Sequence, residues 1–90
     1  MITEMNKKNF LEDKIKAIIK EMLNLNGKDI TKNDDLRGLG LDSLNAVGLI
    51  VELESVFNIE FFDEELLFDN FSNIGRIVEK VESKLAENNE

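Results

Sequence analysis

The chain has 90 residues, of which 42% are hydrophobic and 33% charged, and its 19 acids against 11 bases give a net charge of −8. Cysteine and histidine are absent, which excludes disulfides, thiolate metal sites and the commonest general base. We therefore expect one small domain that binds neither nucleic acid nor anionic membranes and that suits basic protein surfaces.

Apolar residues at spacings of three and four predict a first amphipathic helix. Residues 1–8 before it are expected to be a loose tail. Asn9 followed by Glu12 fits a capping box at the helix start, and Asn26-Gly27 is a typical stop, with glycine in the left-handed conformation.

Residues 28–41 are predicted to form a long loop between the first two helices. The loop has turn residues and also apolar anchors expected to pin it to a core, namely Ile30, Leu36, Leu39 and Leu41. A loop of this length in so small a domain is typical of a functional segment or of one packed by its own side chains.

The second half of the chain predicts a second helix over residues 43–57, a short third one over about 63–68, and a last one from Ile74 to about Ala86. The expected N-caps are Asp42 or Ser43 for the second helix and Ser72 or Asn73 for the last. The run FNIEFF, residues 57–62, is the one stretch that fits a strand, but it has no obvious partner.

The predicted fold class is therefore all-α: a small four-helix bundle of three main helices and one short helix, with a long loop between helices I and II. We expect a single domain over residues 1–90, folded over about 10–86 and frayed over 87–90. The predicted core consists of Ile15, Ile18, Met22, Leu49, Leu53, Phe57, Ile74, Ile77, Val78 and Val81.

The second helix has apolar residues on two sides. At 100° per residue, one stripe contains Ala46, Leu49, Ile50, Leu53 and Phe57, and a second contains Leu44, Val47 and Val51. Either the helix is central and mostly buried, or the second stripe is an exposed contact site beside Ser43. Gly48 lies on the same outer side. It is either a tolerated substitution or a gap that lets another surface approach.

Ser43 has no sequence context for catalysis. A serine nucleophile needs a base within hydrogen-bond reach, and the run L-D-S-L-N lacks the flanking glycines of a nucleophile elbow. Either Asp42-Ser43 is only an N-cap, or Ser43 is an exposed attachment point where a helix N-terminus favours a phosphate ester. The acids over residues 29–42 do not follow EF-hand spacing, so no dedicated metal site is expected.

The run LGLDSLNAV, residues 39–47, resembles the acyl carrier protein family, the phosphopantetheine-bearing carriers of fatty acid, polyketide and non-ribosomal peptide synthesis. The family pattern is an aliphatic residue, Gly, an aliphatic residue, Asp, Ser and Leu, followed by a helix. Similarity continues through ELESVFNIEF (residues 52–61) and DNFSNIGRIVEKV (residues 69–81). The resemblance therefore covers about residues 10–86.

The resemblance implies that a transferase consuming coenzyme A attaches 4′-phosphopantetheine to Ser43. Asp42 matches the acidic residue that assists this modification by helping to hold the transferase's magnesium. Leu44, Val47 and Val51 match positions that contact partner enzymes in the family. Together with Gly48 and the acids of the same helix, the predicted partner-binding residues are Leu44, Val47, Gly48, Val51, Glu52 and Glu54. The implied partners are the phosphopantetheinyl transferase, an acyl- or aminoacyl-loading enzyme and downstream synthase enzymes.

The chain is thus expected to be a monomeric carrier with no catalysis of its own. The start MITEMNKKNF has no apolar run of signal-peptide length, and no later stretch spans a bilayer, so we expect a cytoplasmic protein.

Departures from the pattern of fatty-acid carriers favour a specialised pathway. Those carriers usually have an acid directly after DSL and another three residues later, where this chain has Asn45 and Gly48. Ala46 is common in carriers of polyketide or peptide assembly lines. We predict a free-standing carrier of a polyketide, non-ribosomal peptide or other specialised pathway. The alternatives are a housekeeping carrier of fatty acid synthesis and an unmodified acidic helical adaptor.

Overall fold

The computed structural model describes residues 4–66 and 68–88, which contain three α-helices and two 3₁₀ turns. In chain order these are α1 (Glu4–Met22), α2 (Ser43–Phe57), the 3₁₀ turns Asp63–Glu65 and Phe68–Phe71, and α3 (Ile74–Asn88). The described residues include no strand, so the predicted all-α class and small helical bundle are confirmed. The short third helix is replaced by the two 3₁₀ turns.

Helix α1 begins earlier than the sequence suggested. Residues 4–8, which were expected to belong to a loose tail, are helical, and Asn9 lies inside α1 rather than at its N-cap. No glycine or proline interrupts residues 4–8, so the helical hydrogen bonds continue toward the N-terminus. Residues 1–3 of the expected tail, and 89–90 of the expected frayed end, lie outside the described residues, while residues 87 and 88 belong to α3.

Asn24, rather than Gly27, closes α1. Asn24 adopts φ 58°; its N–H donates to the Glu21 carbonyl at 3.3 Å, and the Leu25 N–H donates to the Lys20 carbonyl at 2.7 Å. These two bonds form a Schellman motif, in which asparagine is the usual substitute for glycine. The stop predicted at Asn26-Gly27 is therefore wrong by about one turn.

The core is a single cluster to which the helices and the segments between them all contribute. Its buried members are Leu11, Ile15, Ile19, Leu25, Ile30, Leu36, Leu41, Leu49, Leu53, Ile59, Phe61, Phe71, Ile74, Ile77, Val78 and Val81. Three residues of the predicted core, Ile18, Met22 and Phe57, are only partly buried and pack against this cluster. The rest of the predicted core is buried.

The long loop is fixed to the start of α3. The Leu36 N–H donates to the Ser72 carbonyl at 2.9 Å, and the Gly75 N–H donates to the Lys32 carbonyl at 3.0 Å. Leu36 and Leu41 are buried, which confirms that apolar residues of the loop anchor it to the core. The loop therefore delivers the chain to the first residue of α2 along a defined path.

Helix α3 and the segment before it resolve two alternatives left open by the sequence. The Arg76 N–H donates to Asn73 Oδ1 at 2.8 Å, so Asn73 rather than Ser72 caps α3. In the run FNIEFF, Ile59 and Phe61 are buried while Glu60 and Phe62 are exposed. The run is therefore not a strand: its first residue ends α2, and the residues after it lie on the helical core with alternate side chains buried.

Candidate functional site

Ser43 is the first residue of α2, and its side chain is exposed. Asp42 is the N-cap, with extended backbone, and its Oδ1 accepts a hydrogen bond from the Asn45 N–H at 2.8 Å. Because Asp42 satisfies this helix end, the Ser43 hydroxyl is not required for capping. The structure thus places an exposed hydroxyl at a helix N-terminus, where a phosphate ester is electrostatically favoured.

The turn before Ser43 is closed by its own backbone. The Gly40 N–H donates to the Arg37 carbonyl at 3.1 Å, and the Leu41 N–H donates to the Leu36 carbonyl at 2.9 Å. Gly40 adopts φ +114°, a conformation that side-chain-bearing residues rarely take. Glycine at this position is therefore explained by backbone geometry.

The second apolar stripe of α2 is exposed. Leu44, Val47 and Val51 have 82%, 61% and 59% of their surface accessible, whereas Leu49 and Leu53 are fully buried. The alternative of a mostly buried α2 is therefore wrong. Three neighbouring aliphatic side chains on one outer face, next to an exposed serine, form an apolar surface of the kind that marks a contact site. We call Leu44, Val47 and Val51 the α2 patch.

Gly48 and Glu52 lie along the edge of α2 that faces α1. A Cβ added to Gly48 would lie 3.8 Å from the Met22 Cε, an ordinary van der Waals contact, so packing within the protein does not demand glycine. Glu52 is exposed and lines an open groove of about 300 Å³ together with Ile18, Glu21 and Met22.

Glu54 follows Val47 and Val51 along α2 at helical spacing, and it also stabilises the fold. It is half-buried, and its Oε2 accepts the Phe61 N–H at 2.9 Å. Its carbonyl oxygen also accepts the N–H groups of Asn58 and Ile59, which close α2 in a left-handed turn. Its carboxylate thus has a structural role in fixing the chain reversal after α2, and the expectation that Glu54 binds partners stays a prediction.

A charged cluster joins the first 3₁₀ turn to α3. Glu65 Oε1 contacts Lys84 Nζ, Glu65 Oε2 lies 3.1 Å from Lys80 Nζ, and Oε1 also accepts the Phe62 N–H at 2.9 Å. Lys84 Nζ lies 4.2 Å from the centre of the Phe62 ring, a cation–π contact. Burial alone raises the pKa of the Glu65 carboxyl, but the hydrogen bonds from Lys84, Phe62 and Lys80 outweigh it and lower the pKa to about 2.

Sequence reasoning missed the structural roles of two side chains. Asn45 Nδ2 donates to the Gly40 carbonyl at 3.1 Å, a contact between a helix and the preceding loop that residue spacing does not reveal. The Glu65 cluster was also missed, because its partners are distant in the sequence.

In the described part of the chain, no three acidic side chains are close enough together to hold a metal ion, and none of the described helices has the length and apolarity to cross a bilayer.

Comparisons with known proteins agree with this geometry. The family model described as a phosphopantetheine attachment site matches residues 13–81. The acyl carrier protein of Phytoplasma australiense is 39% identical over 75 residues, covering 82% of this chain and 96% of the relative. That of Helicobacter pylori is 40% identical over 78 residues, covering 84% and 97%. The acyl carrier protein homolog of Mycoplasma genitalium is 42% identical over 74 residues, covering 81% and 86%.

The matched region contains α2, the loop that leads to it, about the second half of α1 and about the first half of α3. Ser43, exposed at the start of α2 within it, is a suitable acceptor for the prosthetic group. The chain therefore belongs to the acyl carrier protein family, whose members are carriers rather than catalysts and bear 4′-phosphopantetheine as their prosthetic group.

Proposed function

We propose that this protein carries a biosynthetic intermediate as a thioester on 4′-phosphopantetheine attached to Ser43 and presents it to partner enzymes. The observation that supports this most strongly is the exposure of Ser43 at the first position of α2, with the capping done by Asp42. The hydroxyl is accessible to an incoming enzyme, and the thiol that bears the intermediate arrives with the prosthetic group, so the chain needs no cysteine of its own.

Asp42 has a second proposed role beside its capping of α2. Only its Oδ1 is engaged, by the Asn45 N–H, and no hydrogen bond to Oδ2 occurs among the described residues. One carboxylate oxygen next to Ser43 is therefore available to the magnesium ion of a phosphopantetheinyl transferase. Oxygen ligands of this kind suit magnesium, which usually binds proteins through one or two carboxylates.

The α2 patch is the proposed docking surface for the transferase, the loading enzyme and the downstream synthase enzymes. Burial of each of its side chains could contribute on the order of 1 to 2 kcal/mol. A contact of that strength suits partners that bind and leave in turn. Gly48 and the exposed Glu52 border the patch on the α1 side, where Glu52 offers a negative charge to basic partner surfaces.

For the pathway, we propose a specialised one, such as polyketide or non-ribosomal peptide synthesis, in which the protein acts as a free-standing, cytoplasmic monomer. Asn45 and Gly48 support this, because fatty-acid carriers usually have acids at these two positions. Ala46 supports it as well, because alanine is common there in carriers of polyketide or peptide assembly lines. A housekeeping role in fatty acid synthesis is the second candidate, and its support is the similarity to acyl carrier proteins over nearly their full length. The mass of the thioester recovered from the native host would distinguish the two.

The attachment site is tested by incubating the protein with coenzyme A, magnesium and a promiscuous phosphopantetheinyl transferase, followed by intact mass measurement. The wild-type chain should gain one phosphopantetheine. Ser43→Ala should fold with an unchanged circular dichroism spectrum and gain none, while Ser83→Ala, at an exposed serine of α3, should be modified as wild type. Modification of Ser43→Ala would rule out the assignment, and an unmodified wild type would favour the helical adaptor.

A further inference from the structure

Asn45 holds the residues on both sides of Leu41. Its side-chain Nδ2 donates to the Gly40 carbonyl at 3.1 Å, and its backbone N–H donates to Asp42 Oδ1 at 2.8 Å. Leu41 itself is buried in the core. The segment from Gly40 to Asp42 is therefore fixed at three successive residues, and Ser43 follows immediately.

The three attachments differ in what they depend on. The burial of Leu41 belongs to the core, and the Asp42 cap uses only the backbone of residue 45. Of the three attachments, only the hydrogen bond to the Gly40 carbonyl requires the side-chain amide of Asn45. Because Gly40 has φ +114° and glycine has the widest conformational freedom of all residues, this carbonyl is the point at which the segment most needs an external restraint.

The hydrogen bond to the Gly40 carbonyl requires a donor in the side chain at position 45. A carboxylate there has no hydrogen to offer the Gly40 carbonyl and would place a second negative charge beside Asp42. The amide of asparagine provides the donor without the charge. The neutral amide thus fits a structural contact with the loop, rather than an ionic contact with a basic partner.

We propose that Asn45 is a positioning residue that keeps the Gly40–Asp42 segment in the conformation to which the transferase binds. This inference rests on the proposed modification of Ser43. When only a fraction of molecules is in the binding-competent conformation, the apparent dissociation constant rises by the inverse of that fraction. Loss of the Asn45 side chain therefore weakens binding of the carrier and leaves the rate in the bound complex nearly unchanged.

The test compares wild type, Asn45→Ala and Asn45→Gln in steady-state modification by a promiscuous phosphopantetheinyl transferase with saturating coenzyme A. Asn45→Ala should raise the KM for the carrier by about two- to tenfold, the range that one such hydrogen bond controls, with kcat within about twofold. Asn45→Gln, which retains an amide donor, should restore part of the loss. Ser55→Ala, an exposed change on α2, is the matched control.

Hydrogen exchange of the Gly40 and Leu41 amides reports on the loop without the transferase. Both amides should exchange faster in Asn45→Ala, while the helical circular dichroism stays unchanged. If the alanine variant loses its fold, Asn45→Ser provides the same comparison with a smaller change.

The outcomes separate the inference from the proposed function. An unmodified wild type would overturn both. A modified wild type with the same KM in Asn45→Ala would overturn only the inference. A raised KM with unchanged exchange at Gly40 and Leu41 would also overturn it, because Asn45 would then contact the transferase directly.

Discussion

Glu65 shows how one carboxylate can fix a segment that has little regular structure. It binds two lysines of α3 and the N–H of Phe62, and its carbonyl oxygen accepts the Asn70 side-chain amide at 2.9 Å. Both 3₁₀ turns are thereby joined to each other and to α3. No spacing rule predicts such a pairing, because the partners lie on different elements and many other acids and lysines were available.

The ionisation of Glu65 predicts an acid-dependent contribution to stability. Its folded pKa of about 2 lies below the ordinary value of 4.5, so the folded state favours the charged form. The contribution is fully present above about pH 4.5 and is lost as the pH falls from there toward about pH 2. Glu65→Gln should reduce the free energy of unfolding near neutral pH by about 1 to 2 kcal/mol, after allowance for solvent screening.

The measurement is the thermal midpoint of wild type and Glu65→Gln as a function of pH. The difference between the two should shrink through the acid range. Glu64→Gln, at the exposed neighbouring acid, should behave as wild type at every pH. A difference between wild type and Glu65→Gln that is constant down to the lowest pH would contradict the linkage argument.

At the scale of the element, the two faces of α2 predict opposite responses to the same substitution. Val47→Asp places a charge on an exposed face and should change the free energy of unfolding by no more than about 0.5 kcal/mol, while slowing the modification of Ser43. Leu53→Asp places an unpaired charge in the core and should cost several kcal/mol or abolish folding. Chemical denaturation and the modification rate check the pair. Equal destabilisation by both would show that the α2 patch is structural.

Replacement of Gly48 by alanine is expected to stabilise the fold. Because a methyl group there meets Met22 at an ordinary distance, Gly48→Ala should raise the free energy of unfolding by up to about 1 kcal/mol through helix propensity. Gly40→Ala is the matched control and should destabilise, since its φ is +114°. Denaturation curves measure both. An unchanged transferase KM in Gly48→Ala would identify the glycine as tolerated, and a raised KM would identify a close approach of the partner.

The sequence predicted the faces of the helices better than their ends. The spacing of Ile15, Leu49 and Leu53 located the core, and the second stripe of α2 located the exposed patch, because helical periodicity directly relates sequence to side-chain direction. The helix ends are harder to predict because several neighbouring residues can terminate a helix. Asn24 and Gly27 both adopt a left-handed conformation, but the hydrogen bonds that close α1 are made at Asn24 and Leu25. Tertiary contacts also decided that the segment after α2 forms two 3₁₀ turns.

At the scale of the whole molecule, the net charge of −8 predicts that salt stabilises the fold. Repulsion between carboxylates opposes the compact state, and its range falls from about 30 Å at about 0.01 M salt to about 8 Å at about 0.15 M. The thermal midpoint should therefore rise over this range of sodium chloride. Glu60→Lys, at an exposed position, reduces the net negative charge and should show a smaller rise. A midpoint that does not respond to salt would contradict the repulsion argument.

The two hydrogen bonds between the long loop and the start of α3 divide the loop into parts with different tolerance of added length. Residues 26–29 are exposed and precede both attachments, at Lys32 and Leu36. Lengthening a flexible connection costs little, because closure entropy grows only with the logarithm of its length. A peptide inserted after Gly27 would therefore leave Ser43 in place, whereas one inserted after Leu36 would separate Ser43 from the hydrogen bond between Leu36 and Ser72. For anyone fusing a tag or a reporter into this carrier, the same loop offers both a permissive and a forbidden site.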